Sequence, residues 1–181
     1  MNCLKSVRFA RDYGSIRITI VSIGAMLAFF TVFYVAYIGL HPNLVVTRFN
    51  PPVFTASVLI VYPLHKLFHC LPVWAAGKKA CFTVAMNDHR IPMLYCDIRQ
   101  PISRNLAIAC VTFPIAAVTA VTIAVCDWNP FLLPYMALIG AVNVGLSVTD
   151  CIYASYLLKA PANTYIEDFR DGFHILIQTM K

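Results

Sequence analysis

Four stretches of the chain stay apolar for longer than a soluble helix or strand requires. They run from about Ile16 to Leu40, Pro52 to Trp74, Ile102 to Val125 and Phe131 to Leu158. A helix needs about 20 apolar residues to cross about 30 Å of hydrocarbon. Each stretch meets that length, and the only arginines inside them, Arg17 and Arg104, stand at span starts. No linker, internal repeat or low-complexity segment separates them. The pattern therefore predicts an all-α membrane protein: one domain over 1–181, folded as a bundle of four transmembrane helices. The first span is too long for a signal-peptide core and follows fifteen residues, so it is expected to stay uncleaved. Between the second and third spans, Ala80 to Met86 and Ile91 to Arg99 favour strands around the turn-like Asn87-Asp88-His89-Arg90. A short hairpin is expected there. Phe173 to Ile177 in the tail reads as one more strand.

Composition agrees and excludes other classes. Hydrophobic residues make up 60% of the 181 residues, charged residues 12%, and mean hydropathy is +0.72. Soluble domains carry about 25% charged residues, so this chain cannot cover a globular surface with polar groups. It is far too apolar for disorder, and nucleic acid is not an expected partner despite a net charge of +6.

In a membrane protein, basic residues report sidedness. Lys5, Arg8, Arg11 and Arg17 precede or open the first span. Lys78, Lys79, Arg90, Arg99 and Arg104 lie between the second and third, and Lys159, Arg170 and Lys181 follow the fourth. Against these twelve stands Arg48 alone in the outer connections. The distribution puts both termini and the middle loop in the cytoplasm. The lipid bilayer is the first expected partner. Seven cysteines without a CxxC argue against a disulfide framework or a zinc ribbon, and read as small apolar filler.

The informative residues are the polar ones within the spans. Away from span ends, the readily ionisable side chains are His65, Lys66, His69 and Asp150. A charge at the bilayer centre costs at least about 2.5–3.5 kcal/mol, which marks such residues as functional candidates. His65 and His69 stand at i and i+4, one turn apart on one helix face. That spacing lets two imidazoles reach one metal ion, as in HExxH helices. Asp150 lies about nine residues from the cytoplasmic end of its span, as the histidines do from theirs. At 1.5 Å per residue both sit roughly 13 Å deep. Two histidines and a carboxylate at one level compose a three-ligand zinc set with an open fourth position.

Asn143, Ser147 and Asp150 share one stripe of the fourth helix, so Asn143 and Ser147 are candidates to contact a ligand or substrate, or to glue helices. Gly140 and Gly145 permit close helix approach. Pro63 removes one hydrogen bond beside the histidines and could open a wet cavity there, or be a routine membrane-helix proline. Pro114 carries no functional expectation. Trp74 and Trp128 read as interfacial anchors.

His65-Lys66-Leu67-Phe68-His69 with Asn143 to Asp150 resembles a small bacterial membrane family of unknown function, described as zincin peptidases and distantly similar to site-2-type intramembrane metalloproteases. Ile60 to Pro63, Leu158 to Pro161, Tyr165 to Glu167 and Asp171-Gly172 also fit its pattern. The resemblance covers nearly the whole chain. It implies one Zn²⁺ held by His65, His69 and Asp150, a bacterial plasma membrane, and a membrane-embedded peptide or protein as ligand.

One departure counts against peptidase chemistry. The general-base Glu of HExxH is here Lys66, which has the wrong charge beside zinc. Burial and a neighbouring cation lower a lysine pKa, so a neutral Lys66 is one candidate base. The other role is as a hydrogen-bond donor to Asp150 or to a bound anion. A carboxylate from the cytoplasmic side (Asp97, Glu167, Asp168 or Asp171) is a further candidate. Two functional classes remain open on sequence: a zincin-like homologue, active or catalytically degenerate, and a non-enzymatic scaffold or regulator whose His/Lys/Asp cluster is a metal-free network.

Overall fold

The computed structural model describes residues 2–8, 10–45, 50–86, 92–98, 100–169 and 172–177. Four long helices appear where the apolar runs predict them: α1 (Ser15–Leu40), α2 (Pro51–Ala75), α3 (Arg104–Trp128) and α4 (Leu133–Lys159). All four are long and apolar enough to cross a membrane. α2 starts sharply because Asn50 caps it, its side chain accepting from the Val53 amide, with proline in the first turn. α3 begins at Arg104 rather than Ile102, since Ile102 and Ser103 are drawn into a short strand.

The helices do not contribute equally. α2, α3 and α4 touch one another, whereas the backbone of α1 approaches closely only that of α4 among the four long helices. Gly140 and Gly145 make that α1–α4 approach possible. A Cβ on Gly140 would lie 2.6 Å from Cε1 of Phe29, and one on Gly145 would collide with Met26. At the end where α1 finishes and α4 begins, the Tyr37 hydroxyl donates to the Cys126 carbonyl at 2.7 Å and holds α1 against α3.

Six strands are found among the described residues, four at the opposite end and two in a hairpin that runs back along α2. They are β1 (Asn2–Arg8), β2 (Ala80–Met86), β3 (Pro92–Ile98), β4 (Ile102–Ser103), β5 (Thr164–Phe169) and β6 (Gly172–Ile177). β2 and β3 pair antiparallel from Ala80↔Ile98 to Met86↔Pro92, which is the expected hairpin. Its expected turn, 87–90, lies outside the described residues. The hairpin rests on α2: Tyr62 donates to the Leu94 carbonyl and the Trp74 indole to the Ala80 carbonyl. Trp74, expected as an interfacial anchor, is also tied to the start of β2 by this bond.

The tail strand is also found, but as part of a larger unit than its sequence suggests. β1, β6, β5 and β4 form one antiparallel sheet in that order. It joins the N-terminal segment, the residues before α3 and the tail. Buried Val7, Ile102, Ile166, Phe173 and Ile175 from this sheet share one core with Cys110, Val111 and Leu157 of the helices. Phe173 stacks on Tyr153 of α4 with ring centroids 3.9 Å apart. Arg104 serves the same junction, since its guanidinium donates to the carbonyls of Leu157 and Leu158 at 2.7 and 3.1 Å and caps the end of α4.

The reading of all cysteines as filler is corrected at one pair. Cys70 of α2 and Cys96 of β3 form a disulfide, with Cα atoms 6.4 Å apart. The hairpin folds back along α2 and brings together two residues that nothing in their spacing linked. Cys3, Cys81, Cys110, Cys126 and Cys151 are not disulfide-bonded.

Candidate metal centre

The i, i+4 spacing on α2 turns both imidazoles toward α4, where Asp150 meets them. His65 Nε2 lies 3.1 Å from Asp150 Oδ2, His69 Nε2 lies 3.4 Å from the same oxygen, and the two Nε2 atoms are 3.2 Å apart. Three donor atoms from two helices thus form a nearly equilateral triangle. His65 is buried, while His69 and Asp150 keep 12% and 13% of their side-chain surface.

The hydrogen bonds behind this triangle decide which ring nitrogens carry protons. His69 Nδ1 lies 2.9 Å from the Cys110 carbonyl, which can only accept, so Nδ1 donates. The Asn143 amide nitrogen donates to the Pro114 carbonyl at 3.4 Å. Asn143 Oδ1 consequently faces His65 and accepts from its Nδ1 at 2.9 Å. Both neutral imidazoles therefore hold their proton on Nδ1 and present a bare Nε2 lone pair. Asp150 Oδ2 is buried and has no hydrogen-bond partner among the described residues. Three acceptors converge on one point with no hydrogen between them, and each buried acceptor left that way costs about 1–3 kcal/mol. With both imidazoles neutral, a shared metal cation would satisfy all three.

The donor set suits a metal in size and chemistry. A tetrahedral ion with bonds of about 2.0–2.2 Å places neighbouring ligand atoms about 3.3–3.6 Å apart. The observed edges of 3.1, 3.2 and 3.4 Å are within about 0.2 Å of that range. Two imidazole nitrogens and one carboxylate oxygen are borderline to hard ligands of the kind zinc takes with a fourth position left open. The outer hydrogen bonds from Nδ1 are those that orient metal-bound histidines generally.

The origin of the His69 bond lies in α3. Pro114 has no amide hydrogen, so it cannot bond the Cys110 carbonyl four residues earlier. That carbonyl instead accepts from His69. One proline thus supplies an acceptor for each histidine, its own carbonyl through Asn143 and the Cys110 carbonyl directly. Sequence reasoning passed over Pro114. The signal was the pairing of a mid-span proline with a histidine needing an acceptor, but nothing in the sequence set the two helices in register. Pro63, the proline nearer the histidines in sequence, lies exposed on α2.

The remaining candidates separate clearly. Asn143 backs His65 and is fully buried. Ser147 donates to the Asn143 carbonyl of its own helix at 2.8 Å, so it contacts no ligand position. Lys66 is half-buried, and Asp150 is paired with the imidazoles rather than with it. The expected hydrogen bond from Lys66 to Asp150 is thus not found among the described residues. The triad contains one carboxylate. Asp97 and Glu167 are exposed on β3 and β5, and the side chains of Asp168 and Asp171 lie outside the described residues.

Fold and site together define a class: a helical protein with four membrane-span-length helices and a His-x-x-x-His plus Asp group fit to hold a metal. A model of the family described as "Putative zincin peptidase" matches residues 58–165, and the chain belongs to that family. The match covers most of α2, all of α3 and α4, and every residue of the centre. It leaves out α1 and β1. Neither the curated proteins nor the solved structures yield a match.

Proposed function

We propose that the protein is a membrane-embedded, zinc-holding zincin-like protein whose hydrolytic chemistry is suppressed by Lys66. His65, His69 and Asp150 are the ligands. The observation that carries this reading is the convergence of three acceptor atoms whose own protons are committed elsewhere. Zinc at such a site supplies Lewis-acid polarisation of a carbonyl or a water. The chain's own residues do the rest. Asn143 and the Cys110 carbonyl hold the imidazole protons on Nδ1 and aim the rings. Lys66 stands where HExxH zincins place their general base, and a charged ammonium cannot accept a proton. It suits an anionic group of a ligand, which we take to be a membrane-embedded peptide or protein. The twelve-to-one sidedness of basic residues supports a plasma-membrane location with both termini cytoplasmic.

A metal-free scaffold is the second reading, because one oxygen of Asp150 reaches both imidazoles and would equally suit an imidazolium. It requires a protonated Nε2 buried between the other two atoms. Metal content separates the two. The full chain purified from zinc-replete cells is expected to carry about one zinc per molecule, and His65→Ala or Asp150→Ala to carry almost none. No zinc in a folded wild-type chain would establish the scaffold instead. The suppression claim has its own readout: Lys66→Glu should gain zinc-dependent cleavage of a fluorogenic casein while the wild type shows none. Cleavage by the wild type would contradict it.

A further inference from the structure

A cleft of about 460 Å³, which shares no lining residue with the metal centre, lies where β1 and β6 meet the last turns of α4. Lys5 of β1, Tyr13 before α1, Tyr156 and Lys159 of α4 and Ile175 of β6 line it, with Ser155 beside them. None of its lining residues is acidic. Lys5 and Lys159 come from opposite ends of the chain yet converge on one concavity. Lysines that merely snorkel to a membrane surface have no reason to do so.

The polar groups inside have spare donor capacity. The Tyr13 and Tyr156 hydroxyls share a single hydrogen bond of 2.9 Å. Whichever donates, one O–H hydrogen is left for another acceptor. The Lys5 ammonium stands 4.6 Å from the centre of the Tyr156 ring, a cation–π contact that holds it at the rim. The end of a helix normally repels anions, but here the Arg104 guanidinium occupies the carbonyls of Leu157 and Leu158. Positive charge and hydroxyl donors therefore surround a space much larger than one water, walled on one side by Ile175.

Position narrows the ligand. Lys159 is the last residue of an apolar span-length helix, and Tyr156 lies one turn before it. That is the level at which lipid phosphates lie in a bilayer. We propose that this cleft binds a phosphate-bearing anion of headgroup size, supplied by an anionic phospholipid. The proposal is independent of the metal centre and holds whether or not zinc binds there.

The test uses the full chain reconstituted in phosphatidylcholine vesicles doped with phosphatidylglycerol. Lipid retained after extraction is read by native mass spectrometry. Wild type should keep phosphatidylglycerol over phosphatidylcholine. Lys5→Gln/Lys159→Gln should weaken that retention about thirtyfold, the effect of two lysines near a lipid surface. Lys5→Arg/Lys159→Arg should preserve it. Tyr156→Phe keeps the ring and the cation–π contact but removes a donor, so it should cause a smaller loss and covers the case in which the double variant does not fold. Glycerol 1-phosphate, titrated in pure phosphatidylcholine, separates the sources: binding of this ester without phosphatidylglycerol retention would support the phosphate site and overturn the lipid as its source. Equal phosphatidylglycerol retention by wild type and folded variants, with no binding of the ester, would overturn the proposal.

Discussion

The centre depends on where four protons sit. Two stay on the Nδ1 atoms of His65 and His69, and two on the Asn143 amide, one of which binds the Pro114 carbonyl. Outer hydrogen bonds of this kind are worth about 10–100-fold in metal affinity. Asn143→Leu is expected to lower zinc affinity by that factor, measured by competition with a chelator. Ser147→Ala, one helical turn away, should leave affinity unchanged and cost no more than about 1.5 kcal/mol of stability, the worth of its one intrahelical hydrogen bond. Equal effects of the two would mean that Asn143 is only packing. His65, His69 and Asp150 were legible in the sequence because ionisable residues within apolar spans stand out against their surroundings. The task of Asn143 was only half legible, since its stripe on α4 placed it beside Asp150 but not against His65. Ser147 shared that stripe and proved to bond its own backbone, so a helical stripe alone does not separate the two roles.

Among the elements, α3 contributes no charged group to the centre and still shapes it. Pro114→Ala tests this directly. Alanine restores the amide hydrogen that can bond the Cys110 carbonyl, and it favours the helix interior by about 3 kcal/mol over proline. The expected result is an α3 at least as stable as in the wild type, seen as an undiminished thermal midpoint, together with zinc binding weakened about 10–100-fold as His69 loses its acceptor. A lower midpoint with unchanged zinc would reduce Pro114 to a packing residue. The long helices were readable because about 20 apolar residues have few other uses. The β2–β3 hairpin was readable from strand-favouring runs flanking a turn. β1, β4 and β5 were not: β1 carries lysine and serine, β4 is two residues long, and β5 contains an acidic pair. Their pairing depends on partners far away in the chain. The Cys70–Cys96 disulfide was hidden for the same reason, since it needs the hairpin folded back on α2.

Across the whole molecule, the four-stranded sheet ties both chain ends to the segment before α3. β1 pairs with β6 from Asn2↔Ile177 to Arg8↔Gly172, so the two termini lie at the same end of the helices. Four span-length helices and a shared sheet put β1 and β6 on one side, and the basic residues carry the proposal that this side is cytoplasmic. Reporter fusions at each terminus should give a fluorescent green fluorescent protein and an inactive alkaline phosphatase at both. Opposite results at the two ends would be incompatible with a β1–β6 pair. The family match, 58–165, covers the three helices in mutual contact and omits α1, which packs mainly on α4. The candidate metal centre thus lies wholly within the α2–α3–α4 cluster.

Zinc K-edge X-ray absorption of the purified full chain tests the central claim most directly, because it reports the ligand atoms themselves. The expected spectrum has a nitrogen/oxygen shell at about 2.0–2.1 Å, the outer scattering of two imidazoles, and no sulfur at about 2.3 Å. Loss of the zinc signal in a folded Asp150→Asn variant would complete the assignment. A sulfur shell, which would move the metal to the cysteines, or a spectrum unchanged in that variant would contradict it.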